Sequence, residues 1–209
     1  MTIEELEAEV KALKEKIRNL EDIEQIKRLE NIYGYYLDNA MWGEIADLFS
    51  DSAESLEIGG AGVFVGKQGV NKFFRDVMGR GGKPRPSWWM HVAHQIQPVI
   101  DVAPDGKTAK GRWQGLLCLA LRIDGVVRPI WGQGVYTNDF VKEDGKWLFQ
   151  KMHFHMNFHT PYEEGWVKNP VMKELERQMA APDKPSSIYK PYPSGYTVPF
   201  HYKHPITGK

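Results

Sequence analysis

Apolar residues recur in steps of three and four from the first turn: Ile3, Leu6, Val10, Leu13, Ile17 and Leu20 form a heptad seam of just under three repeats. A helix that short is marginal alone in water, so the seam predicts an arm that packs on another subunit or on its own domain. The phase then shifts. Asp22 is placed to cap a second helix, whose apolar stripe includes Ile23, Ile26, Leu29, Tyr33, Tyr36 and Leu37. Residues 42–50, "WGEIADLFS", read as a third, short helix.

After residue 52 the period changes. "ESLEI" and "GVFV" read as short strands, 66–79 as a helix, and about 88–102, 108–123, 126–142 and 147–159 as long strands. The connections carry "PDG" at 104–106 and "DG" at 124–125 and 144–145, the turn chemistry of antiparallel hairpins. Helices followed by an antiparallel meander define an α+β protein, not a parallel nucleotide-binding sheet. Residues 167–179 read as a further helix, and 181–209 as a Pro- and Tyr-rich tail. Tyr189, Tyr192, Tyr196, Phe200 and Tyr202 make that tail too aromatic for an ordinary disordered end, and favour an extended, ordered arm.

Lys plus Arg (27) balance Asp plus Glu (27), so no charge field favours nucleic acid or an anionic membrane. The acidic, amphipathic N-terminus lacks a signal-peptide layout, and no apolar run approaches the roughly 20 residues that span a bilayer. A soluble, cytoplasmic protein is the expectation. The single cysteine, Cys118, excludes an intramolecular disulfide and is expected in the core of an apolar strand.

Several familiar motifs fail. A phosphate loop would need Gly where Ala61 stands and Ser or Thr where Gln68 stands, and no Gly-x-Ser-x-Gly elbow occurs. "HFHMNFH" contains His153, His155 and His159, of which the first two share a face of a regular strand. The glutamate and the later histidine strand that complete a cupin metal set are missing, so neither metal nor cofactor is expected.

The run "IEQIKRLENIYGYYLDNAMWGEIADLFSDSAE", with "GKQGVNKFF", "HQIQPVIDVAPDGKTAKGRW" and "EDGKWLFQKMHF" in that order, resembles the nuclear transport factor two superfamily and its SnoaL-like branch. The resemblance covers about residues 22–160 and implies a cone-shaped, curved antiparallel sheet packed on N-terminal helices. The expected organisation is an N-terminal helical arm (1–21), a SnoaL-like α+β barrel (22–162), and a C-terminal helix and tail (163–209). Similarity to family members also implies a homo-oligomer, trimer or dimer. Members include scytalone dehydratase, a bile acid dehydratase, a hexachlorocyclohexane dehydrochlorinase, ketosteroid isomerase and polyketide cyclases; others do not catalyse.

In the dehydratase and dehydrochlorinase members an Asp at this helix end pairs with a His on the sheet. The resemblance carries the first role to Asp38 and the second to His94, with His91 as the alternate; Tyr33 matches a tyrosine of the bile acid dehydratase. Gly34, one turn before Asp38, leaves room beside the carboxylate, and an imidazole oriented by it is a suitable base near neutral pH. Regular alternation would put Trp147, Phe149, Lys151, His153 and His155 on one face of the last strand, with Trp131 and Gln133 sharing one on the strand before. Lys151 would then stabilise an oxyanion, while Trp88, Trp89, Trp131, Gln133, His153, His155 and Tyr36 would bind substrate. The expected activity is a cofactor-independent lyase on a small hydrophobic, aromatic molecule. The tail and "GKTAKGRW" hairpin are similar to sphingomonad-type lignin diarylpropane lyases, which release formaldehyde; dehydratase, isomerase or cyclase chemistry and a non-catalytic ligand-binding module are the alternatives.

Overall fold

A computed structural model describes residues 1–82, 84–172 and 181–209. Helix α1 (Ile3–Asp38) runs unbroken for 36 residues. Thr2 starts it with a capping box: its Oγ1 accepts from Glu5 N at 3.2 Å, and Glu5 Oε2 accepts from Thr2 N at 2.7 Å. The second helix start expected at Asp22 does not occur. Asp22 is buried inside α1, and its Oδ1 accepts from Trp147 Nε1 at 2.9 Å and from Lys142. A buried carboxylate with two donors fastens the helix to the sheet; Asp22 is an anchor rather than a cap.

The remaining elements follow the expected order. They are α2 (Trp42–Asp47), β1 (Ser55–Ile58), β2 (Gly62–Val65) and α3 (Gly66–Asn71), which continues as a π-helical segment (Lys72–Met78). Four long strands follow: β3 (Met90–Val102), β4 (Thr108–Ile123), β5 (Val126–Glu143) and β6 (Lys146–Pro161). A short α4 (Gly165–Lys168) comes next; the rest of the helix expected at 167–179 falls largely outside the described residues. The sheet is open, in the order β2-β1-β6-β5-β4-β3, antiparallel except where β1 runs parallel to β6. The core fills the inner face, between α1 and the sheet, around Ile26, Tyr33, Leu37, Phe49, Trp113, Phe140 and Phe149. Cys118, expected in that core, is half-buried on the outer face, because the alternation of β4 gives the inner positions to Trp113, Leu117 and Leu119.

The tail crosses the outer face. Val63 bridges to Lys184, Asp183 Oδ2 accepts from Val65 N at 2.8 Å, and Ser187 N and Oγ donate to Glu57. Further on, Tyr192 N donates to Asn157 O, and Arg112 donates to the carbonyls of Val198 and Pro199.

One charged residue lies on the buried stripe of α1. Glu30 is fully buried, and its Oε1 and Oε2 accept from Asn138 Nδ2 at 3.3 and 3.1 Å. Burial pushes its pKa up from 4.5 to about 8, with Asn138 opposing, so the folded protein holds it protonated at neutral pH. A carboxyl whose folded pKa lies above its unfolded value favours the fold less as pH rises from about 4.5 to about 8. Glu30→Gln keeps the shape and removes the titration. Unfolding free energies from urea titration are expected to agree at about pH 4 and to favour the variant by about 1–3 kcal/mol at about pH 9. Parallel pH profiles for the two proteins would contradict this.

Candidate functional site

Two β-bulges decide which side chains of β6 face inward. Asp139 pairs with Lys151 but Phe140 with Phe149, leaving Gln150 extra; Gln133 pairs with Phe158 but Gly134 with Met156, leaving Asn157 extra. Each extra residue turns the alternation over. The inner face of β6 therefore reads Trp147 and Phe149, then Met152, Phe154 and Met156, then His159, all buried.

Lys151, His153 and His155 consequently lie on the outer face, away from the interior that regular alternation assigned them. His153 Nε2 stands 3.3 Å from Glu57 Oε1, beneath Ser187 of the tail. The His153 ring stacks on His155 at 3.5 Å, and Thr137 Oγ1 and His155 Nε2 share a hydrogen bond of 3.0 Å. Burial lowers the pKa of each imidazole to about 4. Trp131 and Gln133 are also outer-face residues: Trp131 stacks on Tyr162, and Gln133 bridges Gln114 and Asn157. Tyr33 is core, edge-on to Phe74, Tyr136 and Phe149, and Tyr36 packs against the same core.

On β3 the alternation places His91, Ala93 and Gln95 inward, opposite Leu119, Leu117 and Gly115. His94 is opposite Leu116 and exposed. Asp38 is half-buried at the end of α1; its Oδ1 accepts from Ala93 N at 3.0 Å, and its carbonyl accepts from Arg85 at 2.8 Å. Thus the helix end is tied to the strand between the two histidines. Among the described residues no hydrogen bond joins Asp38 to His94, and the strand's parity points them apart; the expected Asp38–His94 pair is not formed.

Of His91 and His94, the one that reaches a cavity is His91. It lies on the wall of a cleft of about 1170 Å³ between the α1–α2 junction, the segment after the π-helix and the ends of β4 and β6. Trp89 stacks on His91 at 5.7 Å, and Trp42 meets both rings edge-on. Arg85 lies over Trp89, and Arg122 over Trp88 at 4.6 Å, so two cations edge an aromatic wall. His159 lies on the same cleft. The His91 Nδ1 and His159 Nε2 atoms are sealed from solvent and have no hydrogen-bond partner among the described residues. Burial lowers the pKa of His91 to about 4; burial and His91 itself lower that of His159 to about 3. Both are neutral near pH 7.

The sequence pattern pointed to Trp88, Trp89 and His91 but not to Trp42, Arg85, Arg122 or the position of His159 on the cleft. Trp42 had a signal, being a tryptophan at a helix start directly after Asp38. Arg85 and Arg122 had none, since a loop and a hairpin end meet only in the folded chain.

This open α+β sheet wrapped on one long helix is the nuclear transport factor two architecture. The chain belongs to the SnoaL-like domain family, whose model matches residues 18–153. Its structure is similar to that of a hexachlorocyclohexane dehydrochlorinase, with 23% identity, a TM-score of 0.59 and coverage of 70% of this chain and 92% of that one. A candidate scytalone dehydratase from Novosphingobium aromaticivorans gives 22% identity, a TM-score of 0.57 and coverage of 70% and 91%. A candidate aromatic ring hydroxylase from the same organism gives 18%, 0.55, and 68% and 94%. At these identities the likeness concerns the fold. No described helix is long and apolar enough to cross a membrane.

Proposed function

We propose that this protein is a cofactor-independent lyase that binds a small aromatic molecule in the Trp42–Trp88–Trp89 cleft, with His91 as the base. The observation that carries the reading is the neutral His91, whose sealed Nδ1 has no partner, beside the helix end that carries Asp38. Asp38 Oδ2 takes no hydrogen bond among the described residues, and none joins Asp38 to His91 there. Asp38 acts on the imidazole through the backbone, by holding Ala93 two residues along β3 from His91, and its carboxylate supports the charge the imidazole gains. The dehydrochlorinase and dehydratase neighbours, enzymes of the same fold, agree with proton-abstraction chemistry.

The substrate class we favour is a lignin-type diarylpropane with hydroxyls on the first and last propane carbons, its two rings suiting an aromatic wall. His91 takes the proton of the terminal hydroxyl. The oxygen's electron pair becomes the C=O of released formaldehyde, and the broken C–C pair becomes the new C=C. Hydroxide leaves the benzylic carbon and departs as water with the proton His91 had taken. The products are a stilbene, formaldehyde and water.

Incubating purified protein with such a diol should yield stilbene and formaldehyde in equal amounts, before and after dialysis against a chelator. Loss of water with the hydroxymethyl group retained would make the protein a dehydratase. Metal-restored turnover after chelation would overturn the cofactor-free mechanism. Saturable binding of the diol without any product would favour a non-catalytic module.

A further inference from the structure

Every residue from 1 to 21 is exposed, while from Asp22 onward one stripe of α1 is buried. The seam residues Ile3, Leu6, Val10, Leu13, Ile17 and Leu20 stand between 42% and 76% exposed, an apolar ridge in water. Because the helix passes Asp22 without a break, the ridge and the buried stripe are fixed relative to each other. The stripe consists of Asp22, Ile26, Leu29, Glu30, Tyr33, Gly34 and Leu37. At about 100° per residue its mean direction lies roughly 165° from that of the seam. The ridge therefore faces away from the body that holds the helix. Folding the arm onto its own domain would require breaking α1 ahead of the Asp22 anchor.

From this geometry we infer that residues 3–20 form a two-stranded coiled coil with a second copy of the same chain. The seam is self-complementary. One set of positions is β-branched throughout (Ile3, Val10, Ile17) and the other is leucine throughout (Leu6, Leu13, Leu20), the combination that favours two strands over three in parallel pairs. The flanking charges agree with a copy of the chain as occupant. In a parallel pair Glu9 meets the other copy's Lys14, and Lys16 meets its Glu21; in an antiparallel pair Glu7 meets Lys14, and Glu9 meets Lys16. Unlike charges oppose in both directions. None of these residues has an ion-pair partner within the described chain. An arm of under three heptads is marginal by itself, and a second copy supplies the missing apolar face.

Light scattering and sedimentation of the full chain at tens of micromolar should give twice the chain mass of 24.0 kDa. Leu6→Lys with Leu13→Lys should halve that mass and leave the near-UV spectrum of the body unchanged. Charge variants test the seam without touching its apolar residues. Lys14→Glu with Lys16→Glu makes the flanks acidic; Glu7→Lys, Glu9→Lys and Glu21→Lys together make them basic. Each should be monomeric at low salt, and an equimolar mixture should regain the dimer mass. A wild-type mass of one or three chains would overturn the inference. So would a dimer that survives the lysine seam, or charge variants that each remain dimeric alone.

Discussion

Replacing His91 with alanine is expected to lower kcat/KM by about a hundredfold to ten-thousandfold, the range for removing a positioned general base. His94→Ala should stay within about twofold of the parent, because His94 is exposed on the other side of β3. Asp38→Asn should fall with His91→Ala while the fold persists, the amide still accepting from Ala93 N but no longer supporting an imidazolium. Steady-state kinetics of the three variants on the diarylpropane diol separate these roles. Equal losses for His94→Ala and His91→Ala would remove the cleft from the mechanism. The pH profile offers a second check. Burial holds the pKa of His91 at about 4, so the neutral base is present above that value and is lost as pH falls through it. Stability follows the same sign. For His91 and His159 the unfolded chain binds protons near the ordinary 6.5 and the fold only near 4 or 3, so stability should fall as pH drops from about 6.5.

Gly134→Ala is expected to be strongly damaging to the sheet, costing about 3 kcal/mol in urea unfolding. Gly134 pairs with Met156 just beside the Asn157 bulge. A Cβ there would stand 2.4 Å from the His155 carbonyl oxygen and 2.6 Å from the Phe154 ring. Backbone on one side and a core phenyl on the other leave no flexible atom to retreat, so strand or ring must shift. Gly34→Ala is the informative comparison, because the 2.3 Å contact there is with Gln95 Oε1, the far end of a side chain, and the nearest backbone atom, the Ala93 carbonyl oxygen, stands at 3.2 Å. It should cost much less. A Gly134→Ala protein as stable as the parent would mean that the register between β5 and β6 is looser than the bulge implies.

The amphipathic stripe of α1, the four long strands and their Asp-Gly turns were legible because each rests on local periodicity or on turn chemistry set by neighbouring residues. So was the arm's heptad seam. Glu30 was legible in principle, since Ile26, Glu30, Tyr33 and Leu37 share one helical stripe and a glutamate among them is conspicuous. What failed was parity. The placement of Lys151, His153 and His155 assumed an uninterrupted strand, whereas the bulges at Gln150 and Asn157 turn the face over twice within β6. A bulge is one residue without a partner, and its partner is fixed by the neighbouring strand, not by the residues on either side of it.

By itself, then, the sequence determined the family, the element order and the residue types available for proton-transfer chemistry, because these depend on contacts within a few residues along the chain. The tertiary structure alone decided which histidine faces the cleft, which cations edge it, and which way the arm's apolar ridge points. Those depend on strand register and on an anchor between Asp22 and Trp147, 125 residues apart in the chain. Pairing at that distance is selected by the packing of the whole core, and no local pattern records it.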